Sequence, residues 1–343
     1  MANRNVVAVG ASAGGVEALL FLANRLPRDF PASVLVTIHL PRHSRSSLDE
    51  VLSRAGPLPA AFGVEGEQVK KAHIYIAPPD RHLLLDGGDR LVLGIGAREN
   101  NARPAIDPML RATAICCGFR AVGVVLTGTM RDGASGLWAL QQCGGVTVVQ
   151  DPNDAAFAEM PMMALNRAAP DHVVPLADMP ALLHSLAQQP AGEPVPVPRN
   201  TRYEVAIAKG GHSSMHDMDG LGRRSVLSCP DCGGVMWEID EGDVIRYRCH
   251  VGHTYAAELM SVALDDNLRR AMASALRTLE EREALARKLH RQALGSGDRL
   301  LAENWAQKAQ EFERETKVIR ESIRRVDQLA ATAARAAAEA AAE

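Results

Sequence analysis

The hydrophobic and polar positions divide the chain into three regimes. Over residues 1–188, short β-branched and aliphatic runs alternate with stretches whose apolar positions recur at three- and four-residue steps. Residues 6–9 and 33–39 read as parallel strands separated by a helix over 16–26. Residues 73–77 read as a strand, 78–80 as a turn, and 83–85 with 91–93 as a hairpin around 86–89. A helix is expected over 106–117, a fully buried strand over 121–127, a loop over 128–136, a helix through Gln142 and a strand over 146–149. This alternation predicts right-handed βαβ crossovers and a doubly wound, mainly parallel α/β sheet covered on both faces.

The pattern changes at residue 189. Residues 189–220 open with a Pro-rich spacer and show no periodicity, so they read as a linker with one short ordered piece around 203–207. Residues 221–256 form a compact β unit, in which 235–238 and 244–248 alternate like a hairpin turning at 241–243. Residues 257–343 read as a helical hairpin with an Ala/Glu-rich tail. Leu264, Leu268, Met272, Leu279 and Leu289 mark its first helix, and Leu301, Trp305, Phe312, Ile319, Ile323 and Val326 mark the second. A Gly-rich break at 295–298 separates them, with Asp298 as N-cap. The tail from 330 is low in complexity and expected to fray.

Composition narrows the class. A chain of 343 residues can bury one large core and carry accessory units. A net charge of −3 argues against a chain built to bind phosphate backbones, so nucleic acid is not an expected partner. No basic, apolar leader opens the sequence and no apolar run reaches membrane-spanning length, so a cytoplasmic protein without membrane insertion is expected. Of the six cysteines, Cys116, Cys117 and Cys143 lie in apolar segments and read as small core residues.

The chemistry of the first regime centres on Gly10-Ala11-Ser12-Ala13-Gly14-Gly15, a sharp turn between the first strand and its helix. Strand, tight turn and helix in that order lift a serine hydroxyl off a strand end, and the new helix's amides can hold an oxyanion. A dinucleotide fingerprint competes with this reading. Ser12, however, stands where pyrophosphate needs a glycine, and the next strand ends in His39 rather than an acid. Sheets of this kind bind ligands beyond the carboxyl ends of their strands. Ser12, His39 and Asp132 all fall there, as nucleophile, base and orienter of a triad. His43, His73 and His82 could stand in for His39, and Asp80, Asp107 and Asp151 could stand in for Asp132.

Residues 5–186 resemble the catalytic domain of the CheB family, the chemotaxis protein-glutamate methylesterases. The resemblance rests on the serine turn, Ile38-His39-Leu40-Pro41, His73-Ile74-Tyr75-Ile76-Ala77-Pro78 with Asp80 and His82, and Arg103-Pro104 with Asp107. It continues through 123–128 with Asp132-Gly133-Ala134, then Gln150-Asp151 and Met160-Pro161. It implies that Ser12, His39 and Asp132 are the catalytic triad and that no cofactor serves catalysis. The implied substrate is a methylated, helical receptor protein whose γ-glutamyl methyl esters are hydrolysed to carboxylate and methanol, with glutamine deamidation in related members. The oxyanion is expected on backbone amides near Ala13 and in the Thr129–Met130 loop. Two positions depart from the family: Ala13 replaces a common threonine, and Thr129 aligns with a methionine, Met130 being adjacent. A receiver domain usually precedes this domain, whereas the sequence starts at the first esterase strand, so control by phosphorylation in cis is not expected.

Cys229-x2-Cys232, followed after sixteen residues by Cys249-x3-His253, has zinc-ribbon spacing. A structural zinc is expected on these four, with His250 as the rival fourth ligand and a redox dithiol as the rival reading of the pair. The helical hairpin could meet a signalling regulator or a coiled-coil partner. A second reading of the whole chain is an adaptor whose esterase fold has lost turnover and which acts through its ribbon and helices.

Overall fold

A computed structural model describes residues 3–40, 46–129, 131–210, 214–240 and 245–340; for 258 and 329–340 it describes the backbone alone. The chain divides into two compact units, Met1–Leu259 and Met260–Glu343.

The first unit is built on β1 (Val6–Ala11), every residue of which is buried. It pairs in parallel with β2 (Ser33–Ile38), and the helix α1 (Gly15–Arg25) connects the two. Helix α2 (Leu48–Ala55) leads to β3 (Ala60–Phe62) and β4 (Ile74–Ile76), and β4 lies beside β2. The antiparallel hairpin β5 (His82–Leu85) and β6 (Leu91–Gly94) stands apart, in the register the alternation predicts. After α3 (Ile106–Cys116) the chain returns to the centre as β7 (Ala121–Val125), on the free side of β1. Helix α4 (Ala134–Gln142), β8 (Val146–Gln150), α5 (Glu159–Ala168), β9 (His172–Val174) and α6 (Met179–Gln188) complete a seven-stranded sheet of order β3-β4-β2-β1-β7-β8-β9, parallel throughout.

Alternation along β1 divides the core, as a period of two requires. Val7, Val9 and Ala11 face α1, α2 and α6, whereas Val6 and Ala8 face α3, α4 and α5. With both faces covered, the strands carry the continuous apolar runs seen in the sequence. The chain steps to one side of β1 for β2 and to the other for β7. The carboxyl ends of these three strands therefore form the topological switch point, where such sheets bind ligands. The short edge strands β3 and β9 have no β-branched run long enough to announce them.

The stretch 189–220, expected to be a linker with one short ordered piece around 203–207, instead carries two helices, α7 (Arg199–Ala208), which includes that piece, and α8 (Met215–Leu221). Val205, Ile207 and Ala208 of α7 are buried, and α8 opens on a capping box between Ser214 and Asp217. Beyond them β10 (Arg223–Ser228), β11 (Val235–Asp240), β12 (Ile245–Cys249) and β13 (Thr254–Ala256) form an antiparallel sheet in chain order around the fully buried Trp237. The turn expected at 241–243 lies outside the described residues.

The second unit is the expected helical hairpin, α9 (Ala257–Gly295) and α10 (Arg299–Ala340). Asp298 caps α10, its carboxylate accepting from Leu301 N–H at 3.0 Å. The seam differs from the expected large-residue stripe. Besides Met260, the buried positions among the hairpin's described side chains are Ala286 and Ala293 on α9, with Ala302, Ala309 and Thr316 on α10, while Leu301 is 43% exposed. Small side chains at seven-residue steps let the two backbones approach, and the larger residues flank them. Arg287–Glu313 and Arg320–Glu280 pair across the seam. The tail expected to fray continues as helix to Ala340, consistent with alanine's high helix propensity. No described helix is long and apolar enough to cross a membrane.

Candidate active site and cysteine cluster

Register brings the first two site residues together. Ala11 pairs with Ile38, so the next residue of each strand places Ser12 beside His39. The turn after Ser12 needs Gly14 at φ 70°, where an added Cβ would meet that of Ala156 at 3.0 Å. Ser12 Oγ lies 3.0 Å from His39 Nδ1, and His39 Nε2 lies 2.7 Å from Asp132 Oδ2. The three residues predicted from distant parts of the chain thus form one hydrogen-bonded series. The His39 side chain is 13% exposed and that of Asp132 is fully buried.

Donors converge on Asp132. Ile106 N–H donates to Oδ2 at 2.6 Å, while Asp107 N–H and Gly133 N–H each donate to Oδ1 at 3.1 Å. The first two amides open α3, so the positive end of that helix faces the carboxylate. Burial works against the charge, but the His39 hydrogen bond and these amides outweigh it and hold the carboxyl below its ordinary value. Asp107, a rival for the orienting role, lies next to Asp132 rather than on His39. Burial and the Asp132 charge push it up to about 8, so it is largely protonated at neutral pH.

The remaining described candidates, His73, His82, Asp80 and Asp151, have partners other than Ser12, His39 and Asp132. His82 is fully buried, with Nε2 on the Ala97 carbonyl at 3.0 Å and Nδ1 accepting from Ala105 N–H at 3.3 Å. His73 stacks near Tyr75. Asp80 pairs with Arg103, and Asp151 accepts from Asn153 in its own turn. His43 lies outside the described residues, as does Met130 of the expected oxyanion loop. Ser12 N–H donates to the Thr127 carbonyl at 3.1 Å, whereas the amides of Ala13 and Thr129 have no acceptor among the described residues. These two are therefore free for a developing oxyanion.

Sequence reasoning missed a buried charge cluster behind the site. Glu99 meets Arg111 and, at 3.2 Å, Arg248. Glu204 of α7 meets Arg111 at 3.1 Å, Arg246 at 2.8 Å and Arg248 at 3.5 Å. Burial opposes the Glu204 charge, but the three guanidinium groups pull its carboxyl down to about 2. Alternation placed Arg246 and Arg248 on one face of β12; only tertiary packing shows that face to be buried.

In the small sheet the donor atoms of Cys229, Cys232, Cys249 and His253 lie within 4.8 Å of one another, and all three cysteines are free thiols. Cys232 and Cys249 sulfurs are 3.7 Å apart, and His253 Nδ1 lies 3.6 Å from Cys229 Sγ and 3.5 Å from Cys249 Sγ. Zinc–sulfur bonds of about 2.3 Å and zinc–nitrogen bonds of about 2.0–2.1 Å give tetrahedral edges of about 3.8 Å and about 3.6 Å. The donor set therefore fits a tetrahedral zinc, and it contains His253 rather than His250.

Fold and site together define an α/β protein with a serine, an imidazole and a carboxylate in series at the switch point of a parallel sheet. The CheB methylesterase profile matches residues 7–183, and the chain belongs to that family. A Bordetella bronchiseptica protein-glutamate methylesterase/protein-glutamine glutaminase is 37% identical over 181 residues, covering 52% of this chain and 51% of its own. A Leptospira interrogans relative is 32% identical over 186 residues, which cover 54% of this chain and 96% of that protein. The crystal structure of the Thermotoga maritima CheB methylesterase catalytic domain aligns with TM-score 0.52 and 30% identity, covering 54% of this chain and 100% of that one.

Proposed function

We propose that the chain hydrolyses γ-glutamyl methyl esters on a helical, receptor-type protein, with deamidation of glutamine as the parallel reaction on an amide. The observation that carries this reading is the unbroken series Ser12 Oγ, His39 Nδ1, His39 Nε2, Asp132 Oδ2, at 3.0 and 2.7 Å. His39, protonated at Nε2 and held there by Asp132, accepts the Ser12 proton at Nδ1 as Oγ attacks the ester carbonyl. The anionic Asp132 stabilises the imidazolium, and the amides of Ala13 and Thr129 receive the oxyanion, with Met130 in the same loop. The imidazolium then protonates departing methanol, leaving a glutamyl ester on Ser12. A water deprotonated by His39 releases the glutamate carboxylate.

Residues 1–188 are the catalytic part in this reading, 221–256 a zinc-binding sheet and 257–343 a helical hairpin that meets a coiled-coil or signalling partner in the cytoplasm. Cys229, Cys232, Cys249 and His253 close the zinc's coordination shell, so its role is structural. Methanol release from a methylated receptor tests the reaction. Wild type is expected to release it and Ser12→Ala to lose at least about 10⁴-fold in kcat; equal release by both would overturn the reading.

A further inference from the structure

Strand β13 has a second neighbour outside its own sheet. Thr254 bridges in parallel to Glu99, with Thr254 N–H donating to the Arg98 carbonyl at 3.3 Å and Asn100 N–H donating to the Thr254 carbonyl at 2.9 Å. The segment it grips is a tight loop. Glu99 and Ala102 exchange backbone bonds of 3.2 and 2.9 Å, and Asn100 and Asn101 sit at φ 50° and 62°. Asparagine tolerates that left-handed region better than most residues. The Asn100 side chain turns inward, 2% exposed, and its Nδ2 donates to Asp132 Oδ1 at 3.3 Å and Asp107 Oδ2 at 3.2 Å. Turned over, the amide would set its oxygen against the anionic Asp132 carboxylate, so that neighbour fixes its orientation.

We propose that Asn100 is a positioning residue that aims the Asp132 carboxylate at His39, and that the cysteine-bearing sheet is the clamp that holds Asn100 in place. The first half rests on the esterase reading above. By donating to Oδ1, the amide joins Asp107 and Gly133 N–H on that oxygen, keeps Oδ2 turned to His39 and Ile106 N–H, and so limits rotation of the carboxylate about its own axis. Outside the small sheet the loop is held by one short backbone pair, the two Asn100 side-chain hydrogen bonds and the Glu99–Arg111 ion pair. The small sheet adds two backbone bonds through Thr254 and the Arg248–Glu99 ion pair. Cys249 ends β12 and His253 immediately precedes β13. A metal binding both would therefore fix the start of the strand that pins the loop. The sheet is then part of the catalytic unit rather than an appendage.

The test uses the full chain, with zinc content measured for each sample. Asn100→Ala is expected to lower kcat for ester hydrolysis by about tenfold to a hundredfold, with KM and zinc content unchanged. The acid limb of its kcat/KM profile should move to higher pH, because Asp132 relieved of a donor binds the His39 proton more strongly. Zinc removed from wild type by chelation, or lost through Cys232→Ser, should raise amide exchange over 98–102 by about tenfold or more and lower kcat in parallel. Restoring zinc to the chelated wild type should reverse both effects. An active wild type whose Asn100→Ala variant folds and keeps its kcat and pH profile overturns the positioning role. Unchanged protection over 98–102 after zinc loss overturns the clamp. A wild type that hydrolyses no ester overturns the esterase reading and the positioning role together, while the exchange measurement still decides the clamp.

Discussion

Asp107 and Asp132 share one backbone donor: Gly133 N–H lies 3.0 Å from Asp107 Oδ1 and 3.1 Å from Asp132 Oδ1. Two buried carboxyl groups this close do not both ionise near neutrality. The hydrogen bond to His39 decides which keeps the charge, and Asp132 is the one that has it. Asp107 takes the proton. Its Oδ1 accepts the amides of Gly133 and Gly136, which ties α4 to the loop that carries Asp132.

A pH dependence of stability follows. Asp107 is held at about 8, above its ordinary 3.8, so the folded protein keeps a proton that the unfolded chain gives up. The stability this contributes is complete below about pH 4 and lost as pH rises through about 8. Urea unfolding should show stability falling between pH 6 and 8 by up to about 1.4 kcal/mol per unit. Asp107→Asn should flatten that slope.

The Glu99–Glu204 cluster predicts the opposite sign at the acid end. Glu204, held at about 2 against an ordinary 4.5, contributes stability above about pH 4.5 that is lost as pH falls towards 2. At neutral pH, Glu204→Gln takes a carboxylate from Arg111, Arg246 and Arg248, of which Arg111 and Arg248 keep Glu99. The expected cost is about 3–5 kcal/mol, since removing one partner strands buried charge. Denaturant midpoints of the two proteins would check it.

Gly128 admits no side chain beside Ser12. A Cβ there would come within 2.2 Å of Met160 Sδ and 2.8 Å of Ser12 Cβ. Met160 is buried, so the serine turn is expected to give way. Gly128→Ala should fold yet lose about 10²-fold in kcat, the scale of a misplacement of about 1 Å. Steady-state kinetics beside a circular dichroism spectrum would measure it.

The cysteine cluster predicts one zinc per chain. His253→Ala should bind it far more weakly, while His250→Ala should keep it, because the set of donor atoms that closes within 4.8 Å among the described residues contains His253 and not His250. Metal analysis after dialysis distinguishes the two.

How legible each part was depended on whether its signal was local. Ser12 and His39 directly follow buried strands, so the runs that announce β1 and β2 also place the two side chains. Asp132 follows β7 through a longer loop, and the residues around it left Asp107 open as well. The separation came from the amides of α3 and the reach of His39, which are contacts of the fold. Asn100 had no local signal, because its position depends on Thr254 far along the chain. Of α7 only the short ordered piece around 203–207 was expected, and Glu204 was not singled out. Its burial is made tolerable by arginines on α3 and β12, which no window around residue 204 contains. The large residues of the C-terminal hairpin announced the helices but not their seam, where alanines allow the closest approach.

The most direct test is capture of the covalent intermediate. Full-length protein incubated with a methylated receptor peptide and quenched in acid should show, by mass spectrometry, the glutamyl peptide less methanol attached to Ser12. Free methanol should equal the adduct in the first turnover. Methanol released without any adduct on Ser12, or undiminished in Ser12→Ala, would contradict the account.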